Sequence, residues 1–325
     1  MIRDPLVPTL VLALVAVADA GAAELVMPAD NPLSAIKIEL GRRLFYDADL
    51  SVNGTMSCAT CHEQKHGFAD GNTMHPGALG HPGKRNVPGL ANVAYLKNLT
   101  WANNHLAGLE QQALNPLIGT APIEMGVSGH LAEVVARFSA NPCYVKLFAA
   151  SFPERRGEIS LTTATMAIAA FERTLISIDS PYDRAMRAGQ PLPPDAEAGR
   201  TVFQTAKCDS CHTPPNFTDD AFHAVQPDGR PDKDGGLADE TGRPEDRGIF
   251  RTPGLRNVAV TAPYWHNGTA KTLDEALRMH DPKSGVPRLG DGDVAALQAF
   301  FGTLTDRTFM TDPRFSLPPE ACPLP

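Results

Sequence analysis

The feature that most constrains this chain is a five-residue motif, Cys-x-x-Cys-His, that occurs twice. In such a motif two thiols bond covalently to the vinyl groups of a haem, and the adjacent histidine ligates the haem iron. Four of the six cysteines of the chain lie in the two copies, which favours haem attachment over coincidence. The predicted haem-binding residues are Cys58, Cys61, His62, Cys208, Cys211 and His212.

Two other kinds of site use paired cysteines, and both fit this sequence less well. A zinc site built from two Cys-x-x-Cys pairs would bind through four thiolates and leave both histidines unused. A redox-active Cys-x-x-Cys belongs to a fold that alternates strands with helices, a pattern that this sequence lacks. The interpretation is therefore two covalently bound c-type haems, one on each motif.

The length and composition of the chain limit its fold and its partners. A chain of 325 residues is long enough for about two domains. Its formal net charge of -8 argues against nucleic acid as a partner, because no basic stripe is present to neutralise phosphates. Aromatic residues make up only 6% of the chain. Each haem is therefore expected to supply the flat apolar surface around which its domain folds.

The N-terminus has the pattern of an export signal. Arg3 precedes an apolar run at residues 6–17, and small residues follow it. Cleavage is expected after Ala20 or Ala23, and the apolar run is too short to span a bilayer comfortably. Because c-type haems are attached outside the cytoplasm, the mature protein is predicted to be soluble and periplasmic, with no membrane span.

The spacing of apolar residues predicts a mainly α-helical protein without long strands. The longest predicted helix covers residues 161–178, and the stretches 67–88 and 226–247, rich in Gly and Pro, are predicted loops. The other predicted helices cover residues 31–46, 106–114, 131–138, 144–150, 195–203, 273–280 and 293–304.

The chain also contains a diverged internal repeat. Segment 88–94 matches segment 253–259 as Pro-Gly-Leu-x-Asn-Val-Ala, and four residues before the first motif match four before the second. The repeat predicts two cytochrome-c-like domains, at residues 24–190 and 191–325, after a signal peptide at residues 1–23. The matched residues are Glu39, Gly41, Arg42 and Phe45 in the first half and Glu197, Gly199, Arg200 and Phe203 in the second.

Aligning the two halves places His280 opposite Pro116. His280 is the predicted distal ligand of the second haem, and the adjacent Met279 is the alternative, because imidazole and thioether both ligate haem iron. Pro116 has no side-chain donor atom. The first iron is then expected to be open to a small oxidant, while the second stores or passes electrons. If His280 and Met279 are ordinary helix residues instead, the second haem is also open.

Three further residues are candidates for the reaction. Glu124, in an apolar turn at residues 122–126, is either solvated surface or the carboxylate that moves a proton between the two oxygens of a bound peroxide. Gln112 is either a polar helix residue or a group that orients the peroxide. Trp101, one of two tryptophans, either carries electrons between the haems or simply packs in the interior.

The remaining histidines and cysteines have more than one interpretation. His66, His75 and His81 follow the first motif, and one of them either ligates the first haem in some redox state or is exposed. Cys143 and Cys322 can pair in an oxidising compartment, although nothing in the sequence fixes their distance.

These motifs together resemble the bacterial di-haem cytochrome c peroxidase and MauG superfamily. The resemblance extends from about residue 31 to residue 304 and includes Trp101, the Pro-Ile-Glu-Met-Gly turn and both copies of the repeat. It also rests on FERTLISIDSPYD at residues 171–183 and on TGRPEDRGIFRTPGLRNVAVTAPYWHNG at residues 241–268. Within the superfamily, the FERTLIS and TGRPED stretches are most similar to the branch that includes the methanobactin-associated di-haem enzyme MbnH.

The resemblance implies a role for each of several residues. It implies that Glu124 is the acid-base residue of a peroxide site, with Gln112 and Pro116 in the distal pocket of the first haem. It implies that Trp101 bridges the two haems. The implied proximal ligands are His62 and His212.

The resemblance also implies one calcium ion between the haem domains, bound by the Asn86 side chain and the carbonyls of Thr261 and Pro263. Two positions depart from the family. Classical peroxidases have a gating histidine where this sequence has Ala78. They have Met, and MauG-like enzymes have Tyr, where this sequence has His280.

The leading hypothesis is an oxidoreductase of the cytochrome c peroxidase type, which reduces hydrogen peroxide to water with electrons from a small cytochrome c or cupredoxin. The second is a MauG-like or MbnH-like enzyme that uses peroxide to oxidise Trp or Tyr residues of a partner protein. The third is a non-catalytic di-haem electron carrier. Pro116 argues against the carrier, which needs both irons six-coordinate. A homodimer is compatible with the sequence.

Overall fold

The protein is mainly α-helical in the part of the chain that the computed structural model describes, which is residue 25 and residues 27–224, 233–280 and 285–324. The predicted signal peptide lies outside the described residues, as does part of the predicted loop 226–247. Twelve α-helices and a pair of two-residue strands occur in the described ranges, which confirms the predicted fold class. No helix within them has the length and apolarity needed to cross a membrane.

The helices fall into two groups, one for each haem motif. The strands β1 (Phe222–His223) and β2 (Phe250–Arg251) are antiparallel, with Phe222 opposite Arg251. The helices are α1 (Ala35–Tyr46), α2 (Cys58–Cys61), α3 (Leu109–Ile118), α4 (Leu131–Ala140), α5 (Pro142–Ser151), α6 (Leu161–Glu172), α7 (Pro181–Ala188), α8 (Pro194–Thr205), α9 (Ala238–Thr241), α10 (Leu273–Arg278), α11 (Asp291–Thr303) and α12 (Arg307–Thr311).

Two predicted helices end earlier than expected. Helix α6 ends at Glu172 and not at residue 178, because the Ser177 backbone is bound to the Asn92 side chain. The Ser177 N–H donates to the Asn92 side-chain oxygen at 2.7 Å, and the Ser177 carbonyl accepts from the Asn92 side-chain nitrogen at 3.1 Å. Helix α10 ends at Arg278, so His280 lies just beyond it. The His280 N–H turns back to the Leu277 carbonyl at 3.4 Å, which closes the end of the helix.

In the first half, α1 crosses α6 at a point where the two backbones nearly touch. A Cβ atom on Gly41 would lie 1.8 Å from the Ala167 carbonyl oxygen, so only glycine permits this crossing. Beside it, the rings of Phe45 and Phe171 meet edge to face with centroids 5.3 Å apart. Both phenylalanines are fully buried and form the centre of the first core.

The second half repeats this crossing with α8 and α11. A Cβ atom on Gly199 would lie 1.9 Å from the Ala296 carbonyl oxygen. The rings of Phe203 and Phe300 lie 5.4 Å apart, centroid to centroid. Gly41 and Phe45 therefore match Gly199 and Phe203 in space as they do in sequence, and the repeat extends to a match between α6 and α11.

The two halves meet at a buried polar cluster. Asn92 and Asn257 are matched residues with left-handed backbone (φ 60° and 62°), which asparagine tolerates well. Their side-chain oxygens accept the N–H groups of Ser177 and Asp306, at 2.7 and 2.8 Å. Asn257 also donates to the Ser177 hydroxyl at 3.1 Å. The asparagines of both halves therefore bind Ser177 by hydrogen bonds, which fixes the position of one half relative to the other.

Helix α7 packs against the second core although it precedes the predicted linker. The Tyr182 ring meets Phe217 and Phe300 at centroid distances of 5.3 and 6.0 Å. Asp183 accepts two hydrogen bonds from the buried Arg256 guanidinium, at 2.8 and 2.9 Å. The division of the chain at residues 190 and 191 stays a prediction.

The C-terminal segment returns to the first half of the molecule. The Phe309 ring meets Phe68 with centroids 5.5 Å apart, and the Tyr46 hydroxyl donates to the Phe315 carbonyl at 2.7 Å. A disulfide joins Cys143 to Cys322, so these two cysteines do pair. The end of the chain is thus covalently tied to helix α5.

The helix crossings make a prediction about glycine. Gly199→Ala should lower the free energy of unfolding by about 1–3 kcal/mol or more, because the new methyl group cannot fit against the α11 backbone. Gly302→Ala is the matched control, since a Cβ atom there meets nothing within 4 Å. It should be neutral or stabilise by up to about 1 kcal/mol. Denaturant unfolding measures both, and equal stability of the two variants would contradict the close crossing.

The disulfide makes a second prediction. Because it closes a long loop between cysteines 179 positions apart in sequence, replacing both Cys143 and Cys322 by Ser should lower the free energy of unfolding by about 2–4 kcal/mol. Adding a reductant should destabilise the wild type and leave the double variant unchanged. A reductant effect of the same size on both proteins would show that the disulfide does not stabilise the fold.

Candidate active site

In both haem motifs a short helical turn begins at the first cysteine. Cys58, Cys61, Cys208 and Cys211 are not in disulfides, although the chain does form one elsewhere. At the first motif, the Ser57 N–H donates to the Thr60 hydroxyl at 2.9 Å. This cap starts helix α2 at Cys58, and the two cysteines lie about one turn apart.

The motif histidines are oriented by backbone carbonyls. His62 donates from Nδ1 to the Phe68 carbonyl at 2.7 Å, and His212 donates from Nδ1 to the Phe217 and Pro253 carbonyls, both at 3.1 Å. This tautomer leaves Nε2 as the free lone pair for a metal. Burial lowers the pKa of both rings, that of His212 to about 4. Both imidazoles are therefore neutral at physiological pH, as iron ligands must be.

A cavity of about 440 Å³ opens over the second motif, and its lining includes Cys208, Cys211, His212 and His280. His280 donates from Nδ1 to the Ala276 carbonyl at 3.0 Å, so its Nε2 is also free. The lowered pKa of His212 has burial as its first cause and the charge of His280 as its second. The two imidazoles thus face the same space, as two axial ligands of one iron would.

Two observations test whether this space fits a haem. Trp265, whose ring lies 5.0 Å from that of His280, has a buried Nε1–H with no partner in the described structure. An acceptor oxygen of a bound group, such as a haem propionate, would satisfy it. Met279 is not among the described residues that line the cavity. The donor set and this orphan N–H fit a haem with two histidine ligands.

In the first half, backbone hydrogen bonds fix the turn that carries Glu124. The Ala78 N–H donates to the Glu124 carbonyl at 2.6 Å, and the Met125 N–H donates to the Pro116 carbonyl at 2.8 Å. The turn is thereby clamped between helix α3 and the loop that follows the first motif. Gln112 lies one turn before Pro116 in α3 and is half-buried.

Glu124 lies close to the thiols of the first motif. Water reaches its side chain, yet the protein around it desolvates the carboxyl and raises its pKa. Burial raises the pKa of Cys58 and Cys61, and the charge of Glu124 raises both further. The structure thus brings Glu124, Pro116 and the first haem motif into one site.

Trp101 lies between the two halves. Its buried ring donates from Nε1 to the Asn86 carbonyl at 2.7 Å and meets the ring of His266 with centroids 6.4 Å apart. It lines the second-motif cavity together with Asn86, Thr261 and Pro263. Asn86 donates from its side-chain nitrogen to backbone carbonyls, which leaves the side-chain oxygen for another partner. The three residues matched to a calcium site therefore border one cavity.

The loop histidines differ in their surroundings. His66 donates from Nδ1 to the Val260 carbonyl at 3.2 Å, and His81 is exposed. His75 donates to the Pro76 carbonyl at 2.9 Å. It lies near enough to His62 that its charge lowers the pKa of His62, after burial as the main cause.

Sequence reasoning missed Glu172 as part of this site. Glu172 is buried at the end of α6, and its Oε2 has no hydrogen-bond partner in the described structure. Its charge is the largest one acting on Cys58, after burial. The internal repeat could have revealed it. When the repeat is extended to α6 and α11, Glu172 is the residue that matches Phe301.

Comparisons with known proteins agree with this site. The family described as di-haem cytochrome c peroxidase matches residues 35–190. The methylamine utilization protein MauG of Methylorubrum extorquens is 35% identical over 263 residues, which cover 80% of this chain and 72% of MauG. The cytochrome c551 peroxidase of Nitrosomonas europaea is 30% identical over 306 residues, covering 90% of this chain and 88% of that protein.

A solved structure extends the likeness to the fold. The crystal structure of a MauG-like protein associated with microbial copper homeostasis has a TM-score of 0.84 and 39% sequence identity, covering 90% of this chain and 95% of that one. The sequence resemblance is thereby confirmed over most of the chain. This chain belongs to the di-haem cytochrome c peroxidase family and is an oxidoreductase with two c-type haems.

Proposed function

We propose that this protein reduces hydrogen peroxide to two molecules of water at the first haem site, using two electrons from a small redox protein and two protons from the solvent. The observation that carries the proposal is the Glu124 carboxyl, which backbone hydrogen bonds hold beside the first haem motif. Desolvation raises its pKa although water reaches the side chain. The relative from Nitrosomonas europaea is named a peroxidase, and this agrees with such a reaction.

The chain's own residues hold peroxide and move its proton. When bound, the first haem supplies an iron that binds peroxide and accepts or gives electrons. His62 would hold that iron through Nε2, and Pro116 would bring no competing donor atom to it. Glu124 accepts the proton of the nearer peroxide oxygen and returns it to the farther one, which leaves as water. Gln112 orients the peroxide by a hydrogen bond.

The second half holds the electron reservoir in this proposal. His212 and His280 would hold the second iron, and Trp101, packed between the halves, would carry electrons towards the first haem site. A calcium ion bound by the Asn86 side-chain oxygen and the carbonyls of Thr261 and Pro263 fits the neutral oxygens that border this cavity.

The donor and the compartment are also part of the proposal. A small cytochrome c or cupredoxin docks near the second haem. The export signal predicted at residues 1–23 and the two c-type haems support a periplasmic location. Under this proposal residues 24–190 form the peroxide-reducing domain and residues 191–325 the electron-transfer domain.

A second candidate function is oxidation of Trp or Tyr residues of a partner protein, as in MauG-like enzymes. The observation that favours it is Ala78, which stands where a gating histidine would and whose backbone is held by Glu124 and Asn53. Mixing with peroxide separates the two functions. Rapid oxidation of a reduced cytochrome supports the peroxidase, whereas a long-lived oxidised spectrum with poor cytochrome turnover supports the second candidate.

Glu124→Gln tests the acid-base role. It should lower peroxide turnover by about 10²–10⁴-fold, because the amide cannot take the peroxide proton, while both haem spectra stay as in the wild type. Glu133→Gln, which changes an exposed carboxylate on α4, is the control and should keep normal turnover. Turnover of the Glu124→Gln protein close to that of Glu133→Gln would remove Glu124 from the mechanism.

The second-haem ligand is tested by a pair of variants at adjacent positions. His280→Gly should convert the second haem from low-spin to high-spin, because the iron loses one axial ligand. Met279→Leu should leave the spectrum unchanged. Electronic absorption and EPR spectra report the spin state of each haem. The opposite pattern would make Met279 the ligand.

A further inference from the structure

Glu172 is a buried carboxyl that the proposed peroxide chemistry does not use. It is the last residue of α6, is 5% exposed, and has one carboxyl oxygen without a hydrogen-bond partner in the described structure. A buried ionised carboxyl without a partner is costly. Its presence in a helix that has no other charged residue therefore calls for a functional explanation.

The repeat shows what Glu172 faces. Phe171 and Phe300 occupy matched positions at the two helix crossings, so Glu172 matches Phe301, the next residue of α11. Phe301 lines the cavity that contains the second haem motif. Glu172 accordingly borders the first haem site, and its charge is the largest one that raises the pKa of Cys58, after burial. The first haem has a carboxyl where the second has a phenyl ring.

The charged groups around Glu172 do not neutralise it. Arg173 is its neighbour in sequence, but both arms of that guanidinium bind Glu110 of α3, at 2.6 and 2.8 Å. Lys37 of α1 donates to the Asn31 side chain and the Pro32 carbonyl, at 3.0 and 2.9 Å. The Arg173 charge still favours a Glu172 carboxylate, but its guanidinium is already bound to Glu110. A positive charge on the haem would add to the effect of Arg173.

Burial sets the protonation of this carboxyl. Desolvation raises the pKa of Glu172 to about 8, the charge of Glu110 adds to the rise, and Arg173 opposes it. At neutral pH the group is mostly protonated. An added positive charge on the adjacent haem would favour the carboxylate and lower this pKa.

We propose that Glu172 is a redox-linked proton-holding residue of the first haem site. Each time an electron leaves that site for peroxide, the Glu172 carboxyl releases its proton to water, so the net charge of the buried site is unchanged. Each time the donor returns an electron, Glu172 takes a proton back from water. The inference rests on the proposed function only in placing the reactive haem on His62.

The test is a redox titration of the holoprotein at a series of pH values around 8. In the wild type the potential of the first haem should fall as pH rises through this window, because the reduced form holds a proton that the oxidised form has released. In Glu172→Gln the slope should disappear, while the second haem behaves as in the wild type. Glu133→Gln, an exposed carboxylate on α4, is the control and should keep the slope.

A slope that persists in Glu172→Gln would overturn the inference, since other groups such as the haem propionates would then carry the proton. If that variant fails to fold, the wild type still decides the matter. Its reduced-minus-oxidised infrared spectrum should gain a protonated carboxyl band, and oxidation should release up to about one proton per electron at a pH just below 8. No band and no proton release would refute the role. Peroxide turnover of the wild type, measured separately, tests the proposed function alone.

Discussion

The close contact of two helix backbones through a glycine is the constraint on which each half of this molecule depends. At Gly41 and at Gly199 a single added carbon would overlap a carbonyl of the partner helix, so the helices cross at one fixed depth. The neighbouring phenylalanine pairs then fill the same space in both halves. The result is two equivalent helix pairs, and each places a Cys-x-x-Cys-His motif at the edge of its core.

The two halves differ in the side chains that border their haem motifs, and this difference determines what each half can do. Where the second half places His280 over its motif, the first half has Pro116 and a clamped Glu124. Where the second half has Phe301, the first has Glu172. The first site thus combines Pro116, which has no side-chain donor atom, with two carboxyls of raised pKa. The second has two imidazoles in a mainly apolar cavity whose lining includes Arg251 and Arg256. The first half is therefore suited to proton-coupled chemistry, and the second half is suited to electron storage.

The sequence was sufficient for the features that are local or repeated. The haem motifs, most helices and the matched residues before each motif required only short-range patterns, and the structure agrees with them. It was insufficient where distant segments meet. The end of α6 depends on Asn92 binding Ser177, and the pairing of Cys143 with Cys322 depends on a C-terminal segment that folds back across the first half. Glu172 was missed because its burial results from packing among three separate segments.

The polar contact at Ser177 gives the two sites a fixed mutual geometry, and the central claim is that their irons differ. EPR of the wild-type holoprotein, fully oxidised and with one electron added, tests this most directly. The one-electron spectrum reports the spin state of the iron that remains ferric, and its difference from the oxidised spectrum reports that of the other iron. The account predicts one low-spin haem with two histidine ligands and one high-spin haem with an open position. Two low-spin, six-coordinate haems in both states would contradict it.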